Sequence, residues 1–212
     1  ADGVVATYQA INARLNDGLP LGYCNVGTVI ETSSPELVHG VRVASNGPHA
    51  EVVRVPENLC AQIPDNVSDD QAAFTVVGAI GLQAIRLLNP SVGENICVIG
   101  AGLVGQMCIQ LLVANGCRVL AADLDQIKLE IASRVGAETV NGSERENLLY
   151  GASEFSNGRG VDGVVIAASS ESDRIISDAA EICRKRASIV LVGAVGLNLQ
   201  RRDFYEKELR FQ

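Results

Sequence analysis

The amino-acid sequence predicts an α/β protein: a doubly wound parallel sheet with helices on both faces, preceded by a smaller β-rich region. Three observations carry this expectation. The strands of the second part, among them NICVIG, CRVLAAD, GVVIAAS and ASIVLVGAVG, are continuous apolar runs, as required where both faces of a sheet are covered. They alternate with helical stretches. A glycine-rich turn, GAGLVG, stands where one strand passes into one helix.

In chain order, ATYQAINARL has the composition of an opening helix. Short apolar–polar alternations follow, VGTVIE, GVRVAS and HAEVVRVP, separated by Gly, Pro, Ser and Asn, and predict the strands of a small sheet. Pro56, Pro64 and the run PDNVSDDQAA close this region, where Ser68 followed by Gln71 is a capping-box signature for a helix start. AAFTVVGAIGLQAIRLL then reads as an apolar helix ending at the turn NPSVGE. After NICVIG the order is helix LVGQMCIQLLVANG, strand CRVLAAD, helix QIKLEIASRVG, strand ETVN and a polar helix. Strand GVVIAAS, helix RIISDAAEICRK and strand ASIVLVGAVG complete it. The expected domains are residues 1–75, β-rich, and 76–212, the parallel α/β unit.

Composition excludes several classes. With 47% hydrophobic and 20% charged residues the chain is globular rather than disordered. A net charge of −8 argues against nucleic acid or an anionic membrane as partner. No apolar run reaches the roughly 18 residues of a membrane helix, and ADGVVATY does not read as a signal peptide. The cysteines at 24, 60, 97, 108, 117 and 183 include no C-x-x-C pair, and four lie inside apolar runs. Buried, reduced thiols in a cytoplasmic protein are therefore expected, rather than a structural zinc lobe or a disulfide framework. The sequence begins without Met and stops at ELRFQ, which reads as the start of a strand, so a piece of a longer polypeptide is expected.

The most informative motif is Gly100-Ala101-Gly102-Leu103-Val104-Gly105, a G-x-G-x-x-G between strand and helix. Gly100 would allow the tight turn, Gly102 the approach of a pyrophosphate, and Gly105 close helix–strand packing. The free N–H groups of the helix N-terminus suit phosphates. The next strand ends in Asp123, roughly 20 residues on, where a carboxylate can accept both hydroxyls of an adenosine ribose and repel a 2′-phosphate. Leu124 and Asp125 follow rather than Arg, so NAD is favoured over NADP. Leu124 and Lys128 are further cofactor-side candidates. Ala167, Ala168 and Ser169, and Gly193, Ala194 and Val195, follow two later strands and are candidate walls around a nicotinamide.

With these pieces in order, essentially the whole chain resembles the medium-chain dehydrogenase/reductase superfamily of zinc alcohol and threonine dehydrogenases. The resemblance is carried by LPLGYCNVGTVIE, HAEVVRVPENLCAQIPDNVSDDQAA, AIGLQAIRLL, the long run from VGENICVIGAGLVGQ to SRVGAE, GRGVDGVVIAAS and LVGAVG. LPLGY, GAIGLQ and FYEKEL look like the dehydrogenase half of bi-domain oxidoreductases, in which a second, glucose-fructose oxidoreductase-like domain is fused. The resemblance implies a partial GroES-like catalytic domain over residues 1–75 and a Rossmann NAD-binding domain over 76–212, incomplete at its C-terminal end. It also implies a homo-oligomer in the full-length parent.

In zinc-dependent members the turn equivalent to Gly22-Tyr23-Cys24 usually reads Gly-His-Glu, and a later ligand falls at Val77. Tyr cannot replace His as an ordinary zinc ligand and Val donates nothing, so no metal site is expected. Tyr23 is then a candidate to orient a substrate hydroxyl or carbonyl and relay its proton, with Asn25 and Asn46 as further polar candidates of the cleft. Neither His39 nor His49 is placed beside Cys24 by spacing, and Cys24 is expected to be a packed thiol. The resemblance implies an NAD(H)-dependent oxidoreductase acting on an alcohol or carbonyl, or on a sugar derivative. The alternatives are a zinc-free, NADPH-dependent quinone or enoyl reductase and a non-catalytic NAD-binding module.

Overall fold

The computed structural model describes residues 21–212 together with Gly3, Val5, Thr7 and Tyr8. Of the helix expected over ATYQAINARL, only Thr7 and Tyr8 lie among the described residues, and both are helical. The chain forms two compact units that divide after Val76.

The first unit holds a three-stranded antiparallel sheet of β1 (Asn25–Thr28), β2 (Arg42–Ser45) and β3 (Cys60–Gln62), with β2 in the middle. Among the described residues its core is Ala44, Ile63 and Ala72, with Val26 and Val67 packed against them. The short helix α1 (Asp69–Ala72) starts at a complete capping box, in which the Gln71 N–H donates to Ser68 Oγ at 3.2 Å and the Ser68 N–H to Gln71 Oε1 at 3.1 Å. Arg42 ties α1 to the sheet by donating to Asp69 Oδ1 at 2.6 Å and to the Val67 carbonyl at 2.8 Å. HAEVVRVP is not a strand, contrary to its alternation. A strand needs a neighbour for its N–H and C=O groups. None of β1, β2 and β3 pairs with residues 49–56.

The second unit is built on a six-stranded, wholly parallel sheet. Its strands are β4 (Asn95–Ile99), β5 (Arg118–Asp123), β6 (Glu138–Asn141), β7 (Val161–Ile166), β8 (Cys183–Leu191) and β9 (Arg210–Phe211). In space they run β6-β5-β4-β7-β8-β9, the doubly wound order, with the reversal between β4 and β7. The helices are α2 (Thr75–Leu88), α3 (Leu103–Ala114), α4 (Gln126–Arg134), α5 (Arg145–Phe155), α6 (Arg174–Ile182) and α7 (Arg201–Tyr205).

Every residue of β4 is buried, and after Asn95 its sequence is apolar throughout, as a strand covered on both faces requires. Its side chains alternate between two cores: Ile96 and Val98 face the cluster with Ile85, Ile109 and Leu112, while Cys97 and Ile99 face that with Leu148, Phe155 and Ile176. A fully buried aliphatic side chain of this kind contributes about 1.5–3 kcal/mol. The helix expected over RIISDAAEICRK ends three residues early, and Cys183, Arg184 and Lys185 open β8. The Lys207 ammonium donates to the carbonyls of Ala180, Glu181 and Cys183 at 3.0, 2.6 and 2.7 Å, supplying donors to the end of the helix. Among the described residues no helix is long and apolar enough to cross a membrane.

Candidate functional site

The turns that leave the C-terminal ends of β4, β7 and β8 meet one another beside the sheet's topological reversal. Gly100 has φ of 97°, a region that glycine enters without strain. A Cβ on it would lie 2.5 Å from the Ala168 nitrogen. A Cβ on Gly105 would lie 1.9 Å from the Gly100 carbonyl oxygen, and one on Gly193 would lie 1.9 Å from that of Ala168. The Ala167 N–H donates to Ile99 O, the Gly193 N–H to Ile166 O and the Ser170 N–H to Ala194 O, at 2.8, 2.9 and 2.8 Å. Ser169 is exposed, and Val195 packs on the core behind the turn.

Gly102 differs from its two neighbours in the motif. It is the N-cap of α3 in extended conformation, and nothing lies within 4 Å of the place a Cβ would take. The N–H groups of Leu103 and Val104 in the first turn have no intrahelical acceptor, and no other described residue supplies one. Open space over a bare backbone, with free donors at the positive end of a helix, fits the pyrophosphate of a dinucleotide.

Asp123 ends β5 alongside this turn. Its Oδ2 accepts from the Ala101 N–H at 2.7 Å, its Oδ1 accepts from the Asp125 N–H at 2.9 Å, and Lys128 Nζ stands 3.7 Å from Oδ1. Each carboxylate oxygen retains a lone pair for a ribose hydroxyl. Asp125, not Asp123, caps α4, through the Ile127 N–H at 2.9 Å. Leu124 is 70% exposed beside them, its carbonyl accepting from Asn141 Nδ2 at 3.3 Å. The structure thus brings together Gly100, Gly102, Leu103, Val104, Gly105, Asp123, Leu124, Lys128, Ala167, Ala168, Gly193 and Ala194.

Sequence reading missed Gln106. It is buried, and its Nε2 donates to Ala101 O at 3.1 Å and to Lys128 O at 2.8 Å. Its signal is an amide on the inward face of a helix whose other amide, Gln110, is exposed.

Tyr23 and Asn46 belong to the first unit. The register Asn25↔Ser45 puts both at the same end of the β1–β2 pair. Tyr23 is 52% exposed, and Asn46 is exposed with its N–H on Leu59 O at 3.0 Å. Asn25 Nδ2 donates to Pro48 O at 3.2 Å. The His49 ring covers the α-carbon of Gly22, where a Cβ would lie 2.2 Å from Nε2. The His49 N–H donates to Leu21 O at 2.6 Å. His49 therefore packs against the residue before Tyr23, a proximity that spacing did not reveal.

Val77 is buried and offers no donor atom. Among the described residues no group of three or more His, Cys, Asp or Glu is arranged to hold a metal ion. Taken singly, Tyr23 offers a phenol and Val77 no donor, and neither is an ordinary zinc ligand. All six cysteines are free thiols, with 97, 108, 117 and 183 buried. Burial pushes Cys108 up to about 11 and Cys183 up to about 12, Lys207 and Arg184 pulling the latter back only in part. Neither is a thiolate, hence neither is a nucleophile, at neutral pH.

The comparisons with known proteins agree with this geometry. The profile of the family described as zinc-binding dehydrogenase matches residues 104–212. The chain belongs to that family, within the medium-chain dehydrogenase/reductase superfamily. A protein of Agrobacterium fabrum assigned as a D-xylulose reductase is 35% identical over 175 residues, 82% of this chain and 47% of that protein. The chain thus spans about half the length of the curated relatives it matches. Among solved structures, 2R,3R-butanediol dehydrogenase from Bacillus subtilis superimposes with a TM-score of 0.79 at 22% identity, over 94% of this chain and 66% of that one. The mycobacterial protein Rv1454c in complex with NADPH gives 0.77 at 22% identity, over 99% and 68%. These likenesses establish the fold: a Rossmann unit joined to a partial GroES-like one.

Proposed function

We propose that this chain is the nucleotide-binding part of an NAD(H)-dependent oxidoreductase of the alcohol and polyol dehydrogenase type. The observation that carries the reading is the Asp123 carboxylate, seated at the end of β5 and bonded to the Ala101 N–H of the glycine turn. When bound, NAD supplies a hydride acceptor, and NADH a donor. The chain's own residues do the holding. Gly102, Leu103 and Val104 offer N–H groups to the pyrophosphate, and Asp123 accepts from the adenosine ribose hydroxyls, with Lys128 as a further donor. Ala167–Ser169 and Gly193–Val195 present small side chains and main-chain groups to the nicotinamide. Leu124 flanks the adenine side.

The substrate class is a small alcohol or carbonyl compound, including sugar derivatives, in keeping with the names of the relatives. Without zinc ligands at Tyr23 and Val77, polarisation of the substrate oxygen falls to hydrogen-bond donors. Tyr23 and Asn46 are the side chains we assign to that role. Free thiols throughout suit a reducing, cytoplasmic setting.

Calorimetric titration with NADH and NADPH, after the metal content is recorded, tests this. NADH is expected to bind at least tenfold more tightly than NADPH, without stoichiometric zinc. A preference for NADPH would overturn the role of Asp123 and favour the quinone-reductase alternative.

A further inference from the structure

We infer that Gln106 is a positioning residue for the cofactor, holding the glycine turn and the ribose-side helix in one fixed relation. The inference rests on the nucleotide-binding reading above and adds a residue to it.

The turn has two peptide planes on either side of Ala101. The first, Gly100–Ala101, is held by its N–H on Asp123 Oδ2 at 2.7 Å. The second, Ala101–Gly102, is held by its carbonyl on Gln106 Nε2 at 3.1 Å. That second plane carries the Gly102 N–H, so fixing its oxygen fixes the direction of a donor at the mouth of α3. The other hydrogen of the same amide goes to Lys128 O at 2.8 Å, in the first turn of α4. One buried side chain therefore links the pyrophosphate-facing turn to the helix bearing Lys128.

The orientation of the amide is settled by its surroundings. Both contacts are to carbonyl oxygens, so only the NH₂ end can face them. The Oε1 end is buried and has no hydrogen-bond partner among the described residues. An apolar residue at this place would avoid an unpaired acceptor, yet would hold neither carbonyl. Gln106 is thus poorly suited to packing alone and well suited to positioning.

The test compares Gln106→Leu with the wild-type chain, using NADH calorimetry, hydrogen exchange and thermal unfolding. Removing two hydrogen bonds is expected to weaken NADH binding about tenfold. Exchange should quicken over residues 100–105 and the first turn of α4, while β4 and β7 keep their protection. Gln106→Met should behave as Leu does, since it restores length but no donor. A variant that binds NADH as the wild type does, or one in which exchange quickens evenly across the sheet, would overturn the inference and leave the functional reading standing. If the wild-type chain itself binds neither NADH nor NADPH, the functional reading fails and the inference with it.

Discussion

The two units solve the same problem, placing polar groups on a stable frame, with very different means. The second unit buries whole strands in two cores and holds a close-packed glycine turn against them. Among its described residues the first has three buried apolar residues in its core, beside a capping box, an arginine bridge and main-chain turns. The turns at the ends of the parallel strands are therefore backed by two cores, whereas Tyr23 and Asn46 stand on the lighter frame.

The sharpest way to break this contrast is at Gly105. Its Cβ would lie 1.9 Å from a backbone oxygen, which no rotamer change relieves. Gly105→Ala should destabilise the second unit by about 3 kcal/mol through strain and overpacking, and should abolish measurable NADH binding. Denaturant unfolding with calorimetry checks both. A variant of normal stability and affinity would mean that the turn is not locked against α3.

What was legible in the sequence follows the same division. ICVI announces a central strand because burial on both faces favours apolar residues throughout, with the polar Asn95 only at the strand's start. GAGLVG and Asp123 are legible because backbone geometry demands glycine and a carboxylate at set places. HAEVVRVP misled because alternation describes a side-chain pattern, whereas a strand also needs a neighbour that pairs with it, and none of β1, β2 and β3 does. The end of α6 is met by Lys207, far along the chain, and no local pattern records that. Gln106 and His49 act through contacts across turns, which spacing alone does not give.

A smaller effect comes from the buried thiols. Cys108 and Cys183 sit at about 11 and about 12 in the folded chain, against 9.0 for an unburied thiol, chiefly through desolvation. Between pH 9 and those values the unfolded chain releases protons that the folded one keeps. Stability is thus fully present below pH 9 and falls as pH rises, by up to about 1.4 kcal/mol per pH unit for each thiol. Denaturation midpoints measured from pH 8 to 10.5 should drop, and Cys183→Ala should flatten the slope. A pH-independent midpoint would show that these thiols are not held neutral by the fold.

The smallest effect separates the units most cleanly. Ser68→Ala removes the acceptor of the Gln71 N–H and opens the capping box, for about 1 kcal/mol. Asp69→Asn, its control, breaks a pair whose side chains are 36% and 66% exposed, and should shift stability by less than about 0.5 kcal/mol. Both changes lie in a unit whose core is too small to absorb the loss elsewhere, so Ser68→Ala should quicken exchange in β2 and β3 first. Protection of β4, β5 and β7, and NADH affinity, should stay at wild-type values, because Ser68 contributes nothing to either core of the parallel sheet. A fall in NADH affinity matching the loss of stability would instead show that the lighter frame governs the grip of the heavier one.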